Sequence, residues 1–306
     1  MGNIAILGVF VADTAYRAVR QPHMGETILG NAFALGPGGK GSNQAVAAAM
    51  AGGDARFLTK LGRDPFADMA LATWKTAGVT PVITQHEDSY TGAAYIFIEE
   101  ATGNNAIIVC PGVARTISPA DIAAWSDTIG GAEVFVTQLE QPIDAAHRAL
   151  EIARAGGART ILNPAPAATI APDMLALCDF ATPNESEAEG ITGIPVRSLP
   201  DAEAAADALL ARGVGAAVIT LGENGVLFRD GSKSVHVPAM RAGDVLETTG
   251  AGDAFNGGFA TALAEGADPV EAVRFGTATA AISVTRAGTA PSMPARGEID
   301  ALLAGA

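Results

Sequence analysis

The stretch from Glu133 to Leu162, EVFVTQLEQPIDAAHRALEIARAGGARTIL, decides the fold. It reads as a strand over Glu133–Leu139, a helix over Ile143–Ala155 and a second strand over Arg159–Leu162. The same alternation extends in both directions. Toward the C-terminus, a strand over Asp179–Thr182 leads into a helix from Asn184, and a helix over Ala202–Arg212 precedes a strand over Ala216–Leu221. Toward the N-terminus lies a helix over Pro119–Ile129. Further back come a first buried strand over residues 3–8 and a helix opened by Gly38-Gly39-Lys40-Gly41 that runs through Gln44 to Ala51. A strand over Arg56–Leu61 and a helix over Pro65–Ala77 follow it. Repeated alternation of this kind predicts an α/β fold, a mostly parallel central sheet flanked by helices on both faces.

One region departs from the alternation. Val79–Thr84, Thr91–Glu99 and Asn105–Cys110 are β-rich, and Gly103-Asn104 marks a hairpin turn. The polar, irregular stretch 11–36 and the hairpin 91–110 are read together as one small sheet. The core is then residues 1–10, 37–90 and 111–306.

A chain of 306 residues suits one large α/β domain with such an appendage. Apolar residues make up 49%, enough for a substantial core, and much of that share is alanine, which blurs helix faces. Thirty-three acidic against 19 basic residues give a net charge of −14, which argues against nucleic acid and anionic membranes as partners. An anionic substrate would need a local positive field, which glycine-rich backbone and helix starts supply without net charge. Cys110 and Cys178 lack metal-ligand spacing and read as free thiols in a reducing compartment. The N-terminal segment has no basic leader, and no apolar run approaches the ~18 residues of a membrane helix. The expectation is a soluble, cytoplasmic protein.

Three features carry chemistry. The first is Thr248-Thr249-Gly250-Ala251-Gly252-Asp253-Ala254-Phe255, followed by a helix over Asn256–Glu265. Glycines at a helix start let backbone N–H groups converge on an anion. An Asp there can accept the proton of an attacking hydroxyl. The plain alternative is an ordinary Asp N-cap behind a flexible turn. Two familiar glycine motifs fail. A dinucleotide fingerprint needs glycine where Phe255 stands, and a P-loop needs Ser or Thr where Gly41 stands and glycine where Ala34 stands. This makes a nicotinamide oxidoreductase or a Walker ATPase unlike the chain.

The second feature is Gly38-Gly39-Lys40-Gly41-Ser42-Asn43, whose glycines permit close approach and whose Asn43 offers donor and acceptor to a hydroxyl. The third is a series of polar residues at strand ends. These are Asp13, Gln138-Leu139-Glu140, Asn163-Pro164, Thr182 to Glu187, and Thr220 to Gly225. Each alone is an ordinary loop residue or cap. Five at successive strand ends suit a polyhydroxyl ligand, since open α/β sheets bind outside the carboxyl ends of their strands.

Together, Gly38–Asn43 and Thr249–Gly257 resemble the paired signatures of the ribokinase family of carbohydrate kinases, and the resemblance runs from Asp13 to Pro294. It implies transfer of the ATP γ-phosphoryl group to the primary 5-hydroxyl of a pentose such as D-ribose. Asp253 would be the general base, and the N–H groups of Gly250, Ala251 and Gly252 the anion hole. Asp13, Gly39, Lys40, Asn43 and Glu140 would hold the sugar, with Val11 and Val109 facing it. Asn184 and Glu187 would position magnesium and phosphates, partly through water. Thr220, Gly222, Gly225, Gly252 and Thr277 would line the ATP site. A potassium site would draw on Glu247, Thr249, Ser283, Arg286, Gly288 and Ser292, mostly through carbonyl oxygens. The small sheet would be a lid, and two lids packed together would make a homodimer.

The chain also departs from the family pattern. Val11 stands where ribokinases carry Asn, and Gly112-Val113-Ala114 where Gly-Ala-Asn is common. Both changes remove an amide from the sugar side, so 2-deoxyribose, another furanose or a nucleoside becomes an alternative substrate. Glu247 replaces an Asp and either ligates or turns outward. A non-catalytic sugar- or nucleotide-binding module is the alternative of another class. The presence of Asp253, Asn184 and Glu187 argues against it.

Overall fold

The structure, a computed structural model, describes residues 2–305. Its thirteen strands are β1 (Asn3–Leu7), β2 (Val11–Ala18), β3 (Ala32–Gly38), β4 (Asp54–Gly62), β5 (Thr80–His86), β6 (Thr91–Glu99), β7 (Asn105–Gly112), β8 (Val134–Thr137), β9 (Arg159–Leu162), β10 (Phe180–Ala181), β11 (Ala216–Thr220), β12 (Val226–Asp230) and β13 (Ser234–Val237). Nine of them form one sheet in the order β13-β12-β11-β10-β9-β8-β1-β4-β5. All pairs from β5 to β11 are parallel, and β12 and β13 add an antiparallel edge. This is the expected core, with β12 and β13 as strands the sequence reading did not find.

Chain order reverses between β1 and β8. From β1 the chain winds outward through β4 and β5, and from β8 it winds the other way through β9, β10 and β11. That reversal opens a crevice at the carboxyl ends of the central strands. Because β1 is central, both of its faces are buried. Ile4 and Ile6 join one apolar layer, and Ala5 and Leu7 join the other.

Local signals set the helix bounds. Helix Pro65–Ala77 starts where the Asp64 side chain accepts the Ala67 N–H, with proline in the first turn, and stops at Gly78 in the left-handed region. Each device satisfies or removes an end group that helix geometry leaves unpaired. The expected helix 119–129 is instead two, Pro119–Ala124 and Ser126–Gly130, broken at Trp125. Helices Lys40–Met50 and Ala251–Ala264 pack so closely that a methyl group on Gly257 would lie 2.4 Å from the Ala47 Cβ. The small residues of both helices allow that approach, and it brings the two glycine-opened helix starts together over the crevice.

The remaining strands form a separate four-stranded sheet in the order β3-β2-β6-β7. The stretch read as irregular thus contains β2 and most of β3, joined by the loop 19–31. Asp13 lies in register with Ala94, and Ala94 with Val109, so these share one face. The other face carries Tyr16, Phe33, Leu35 and Ile108, all exposed. Tyr16 packs on Phe33 and Tyr95 with ring centroids 5.1 and 5.5 Å apart. No helix among the described residues is long and apolar enough to cross a membrane.

Candidate active site

Helix Ala251–Ala264 begins five residues before the expected Asn256, because the glycine-rich motif is itself its first turn. Gly250 is the N-cap, with φ 84°, and no side chain caps the end. Only glycine adopts that conformation without strain. Asp253 is therefore not a cap. It is 6% exposed, and its carboxylate points inward to two amides. Asn43 Nδ2 donates to Oδ2 and Gln44 Nε2 to Oδ1, each at 3.0 Å. Burial raises the Asp253 pKa, opposed by the charge of Lys40 and by those two hydrogen bonds.

Of the backbone groups expected in the anion hole, Ala251 N–H is engaged, donating to the Thr248 carbonyl at 3.1 Å. The first-turn N–H groups of Gly252 and Asp253 have no partner within the helix. A methyl group on Gly252 would meet nothing within 4 Å, so its Cα borders open space.

Around Asp253 lie Lys40, Asp13, Glu140 and Glu187, each feeling its charge. Lys40 opens the other glycine-led helix, whose N-cap is Gly39. Its backbone N–H donates to Glu140 Oε2 at 2.8 Å. Burial pushes Glu140 up to about 7, against the pull of Lys40. Asp13 rises to about 6, from burial first and then from the nearby Asp253. Burial works to lower the Lys40 pKa, but Asp253, Glu140 and Glu187 outweigh it and the net shift is upward. Asn43 Oδ1 is buried with no hydrogen-bond partner. Val11, 3% exposed, packs in the apolar layer that also holds Ala94, Ala114 and Leu139. Both departures from the family pattern, at Val11 and Ala114, thus fall in one apolar cluster.

Beyond Gly252 opens a cavity of about 860 Å³. Asn184, Thr220, Gly222, Gly225, Gly252 and Thr277 all line it. The apolar walls Met240, Val245, Phe255 and Val284 were not found from sequence, since nothing in the pattern draws these scattered residues to one place. Size, apolar lining and an adjoining helix start fit a nucleotide. Asn184 and Glu187 cap one another at the start of helix Glu185–Thr192. Glu187 N–H donates to Asn184 Oδ1 at 2.8 Å, and Asn184 N–H donates to Glu187 Oε2 at 2.9 Å. Burial raises the Glu187 pKa. Among the described residues no group of three or more His, Cys, Asp or Glu is gathered as for a metal ion. Glu187 does not line the cavity, whose acidic residues are Glu185, Glu223 and Asp244.

Glu247 does not turn outward. Its Oε2 accepts the Gly288 N–H at 2.8 Å, tying the segment before Gly250 to the loop after helix Pro269–Ser283. Ser283 and Ser292 spend their hydroxyls on the carbonyls of Ala280 and Thr289. The Arg286 side chain pairs with Glu298.

The crevice thus joins a buried carboxylate, a group of charged side chains and a nucleotide-sized cavity across one helix start, the arrangement of a phosphotransferase with an alcohol acceptor. Residues 1–296 match the pfkB family carbohydrate kinase profile, and the chain belongs to that family. It is 36% identical to a deoxyribokinase of Salmonella typhimurium over 294 residues, 95% of each chain. It is also 36% identical to a ribokinase of Staphylococcus aureus over 301 residues, 97% of this chain and 98% of that one. An Arabidopsis thaliana ribokinase solved with ribose and ATP superposes with a TM-score of 0.93 at 28% identity, covering 99% of this chain and 98% of that one. The protein is a carbohydrate kinase.

Proposed function

We propose that this kinase transfers the γ-phosphoryl group of ATP to the primary 5-hydroxyl of D-ribose. The observation that carries the reading is Asp253, buried and held by two amides in the first turn of an uncapped helix. Asp253 takes the hydroxyl proton, the sugar oxygen forms a bond to the γ-phosphorus, and the bond to the ADP oxygen breaks. The N–H groups of Gly252 and Asp253 receive the charge on the transferring group. Asp13, Lys40, Asn43 and Glu140 orient the sugar beneath the small sheet, which acts as a lid and keeps water from the donor. Magnesium, met by Glu187 through water, would neutralise charge on the phosphates. Potassium would sit among the carbonyls near Thr249, Ser283 and Gly288, with Glu247 bracing the loop through Gly288.

A second reading, 2-deoxyribose, is favoured by one observation. Val11 and Ala114 present an apolar cluster where an amide would meet a hydroxyl. An unpaired hydroxyl there costs about 1–3 kcal/mol. The exposed Tyr16, Phe33, Leu35 and Ile108 supply an apolar lid face for a second copy of the chain, which sedimentation would reveal as a homodimer. A panel of pentoses, hexoses and nucleosides with ATP, run with and without potassium, tests the substrate and the cation together. Asp253→Asn is expected to lower kcat by about 10³-fold while ADP binding stays intact. An active Asp253→Asn enzyme would remove Asp253 from the role of base.

A further inference from the structure

The base is held by a residue that never reaches the crevice. Gln44 is completely buried, as is Gln138, and Asn163 is nearly so. The Gln44 Nε2 donates twice, to Asp253 Oδ1 and to Asn163 Oδ1, each at 3.0 Å. Its Oε1 accepts from Gln138 Nε2 at 2.5 Å. Every one of these amides has its orientation set by the next. Asn163 Nδ2 donates to the Thr182 backbone carbonyl at 3.2 Å, and that carbonyl can only accept. Asn163 must then turn its oxygen to Gln44. Gln44 must turn its nitrogen to Asn163 and Asp253, and its oxygen to Gln138. Reversing any one amide would set oxygen against oxygen in the core.

We infer that Gln44, locked between Gln138 and Asn163, is a positioning residue that fixes the Asp253 carboxylate and keeps it ionised for proton abstraction. This deepens the reading of Asp253 as the base and rests on it. The physical reason is burial. A carboxylate out of water favours its neutral form unless donors face it, and a neutral Asp253 cannot take a proton. The donors are few. Asn43 serves Oδ2, but its own Oδ1 has no partner to fix the amide. Gln44 serves Oδ1 alone and is shielded from ligand. The charged groups around Asp253 are Lys40 on helix Lys40–Met50, Asp13 on β2, Glu140 beyond β8 and Glu187 on helix Glu185–Thr192. Three of these four are carboxylates, which leaves the amides to offset their repulsion alongside Lys40.

The test uses the full chain and three variants. Gln44→Met keeps length and apolar fit but removes the donor, and Gln44→Glu keeps shape but sets a carboxylate against Asp253. Gln138→Met leaves Gln44 in place with one anchor gone. The expected order of kcat is wild type, then Gln138→Met down about 3- to 10-fold, Gln44→Met down about 30-fold and Gln44→Glu lowest. The KM values for sugar and ATP should stay within about threefold of wild type. The acidic limb of the kcat–pH profile should move to higher pH in Gln44→Met, because losing a donor to the charged form raises the base's pKa. A role in packing alone would make Gln44→Glu as active as Gln44→Met and leave the limb in place, and either result overturns the inference. Should Gln44→Met not fold, Gln138→Met carries the same test of limb position. If Asp253→Asn stays active, the base assignment fails first. If Asp253→Asn is inactive and Gln44→Met behaves as wild type, only the positioning role fails.

Discussion

Two helices of this protein open on glycine, and their starts have opposite fates. Helix Lys40–Met50 begins with two of its first-turn donors already used. Lys40 N–H serves the Glu140 carboxylate and Ser42 N–H serves the Val9 carbonyl. Its glycines are crowded, since a methyl group on Gly41 would lie 2.7 Å from the Gly8 Cα and 3.0 Å from Gln138 Oε1. Helix Ala251–Ala264 begins with free first-turn donors, and Gly252 borders empty space. One start holds an anion of the protein itself, and the other has no side-chain cap and opens onto space. The same residue type serves packing in the first motif and ligand access in the second, a distinction that sequence does not carry.

The largest effect should come from placing the same methyl group in each motif. Gly252→Ala meets no neighbour and gains up to about 1 kcal/mol of helix propensity, so its melting temperature should hold or rise. On the proposed mechanism its methyl group would enter the phosphoryl path, and kcat should fall about 10²-fold. Gly41→Ala must displace backbone at Gly8, and overpacking of that kind costs about 1–3 kcal/mol, read as a lower melting temperature. Thermal melts and kinetics on both variants decide the matter. A destabilised Gly252→Ala, or a stable Gly41→Ala with the larger kinetic loss, would erase the contrast.

A smaller effect is expected at Val11, whose backbone packs against Gly39 at the crowded start. Val11→Asn restores an amide beside Asp13 and should raise kcat/KM on ribose relative to 2-deoxyribose about fivefold, since a hydroxyl regains a partner. An unchanged ratio in a coupled assay would mean that Val11 only packs. The amide would also enter a cluster with Ala94 and Leu139, so some loss of melting temperature is expected with it.

Much of this arrangement was legible in advance, and the failures are physical. Glu140, Asn163 and Asn184 follow β8, β9 and β10, and Thr220 ends β11, four adjacent strands whose alternation placed them at one edge of the sheet, whereas Asp13 stands within β2 of the small sheet. Helix Pro65–Ala77 was readable because Asp64, Pro65 and Gly78 mark both of its ends. The start of helix Ala251–Ala264 was not, because Gly252 disfavours helix and Gly250, left-handed, stands just outside it as the N-cap. Gln44 looked like one more polar residue in an alanine helix. Its value comes from Gln138 and Asn163, which are distant in sequence and meet it only through sheet order. A glutamine one residue after Asn43, with amides at two neighbouring strand ends, was the available signal. The cavity walls Met240, Val245 and Val284 gave none.

The smallest effect expected is with pH, and it sharpens the contrast at the occupied start. Burial holds Glu140 at about 7 and Asp13 at about 6, both above their ordinary range. A raised carboxylate pKa means that the group takes up its proton as pH falls through that value, here between pH 8 and 6. Glu140 then ceases to be the anion at the first helix start, and both residues lose acceptor strength toward sugar hydroxyls. The KM for sugar should therefore rise about threefold from pH 8 to pH 6, with the KM for ATP moving less because neither Asp13 nor Glu140 lines the cavity beyond Gly252. Glu140→Gln should show the higher sugar KM throughout and a flatter profile, leaving only the Asp13 contribution near pH 6. A sugar KM that stays level in the wild type would show that these carboxylates remain ionised when the crevice is filled. The two helix starts would then differ in occupancy but not in titration.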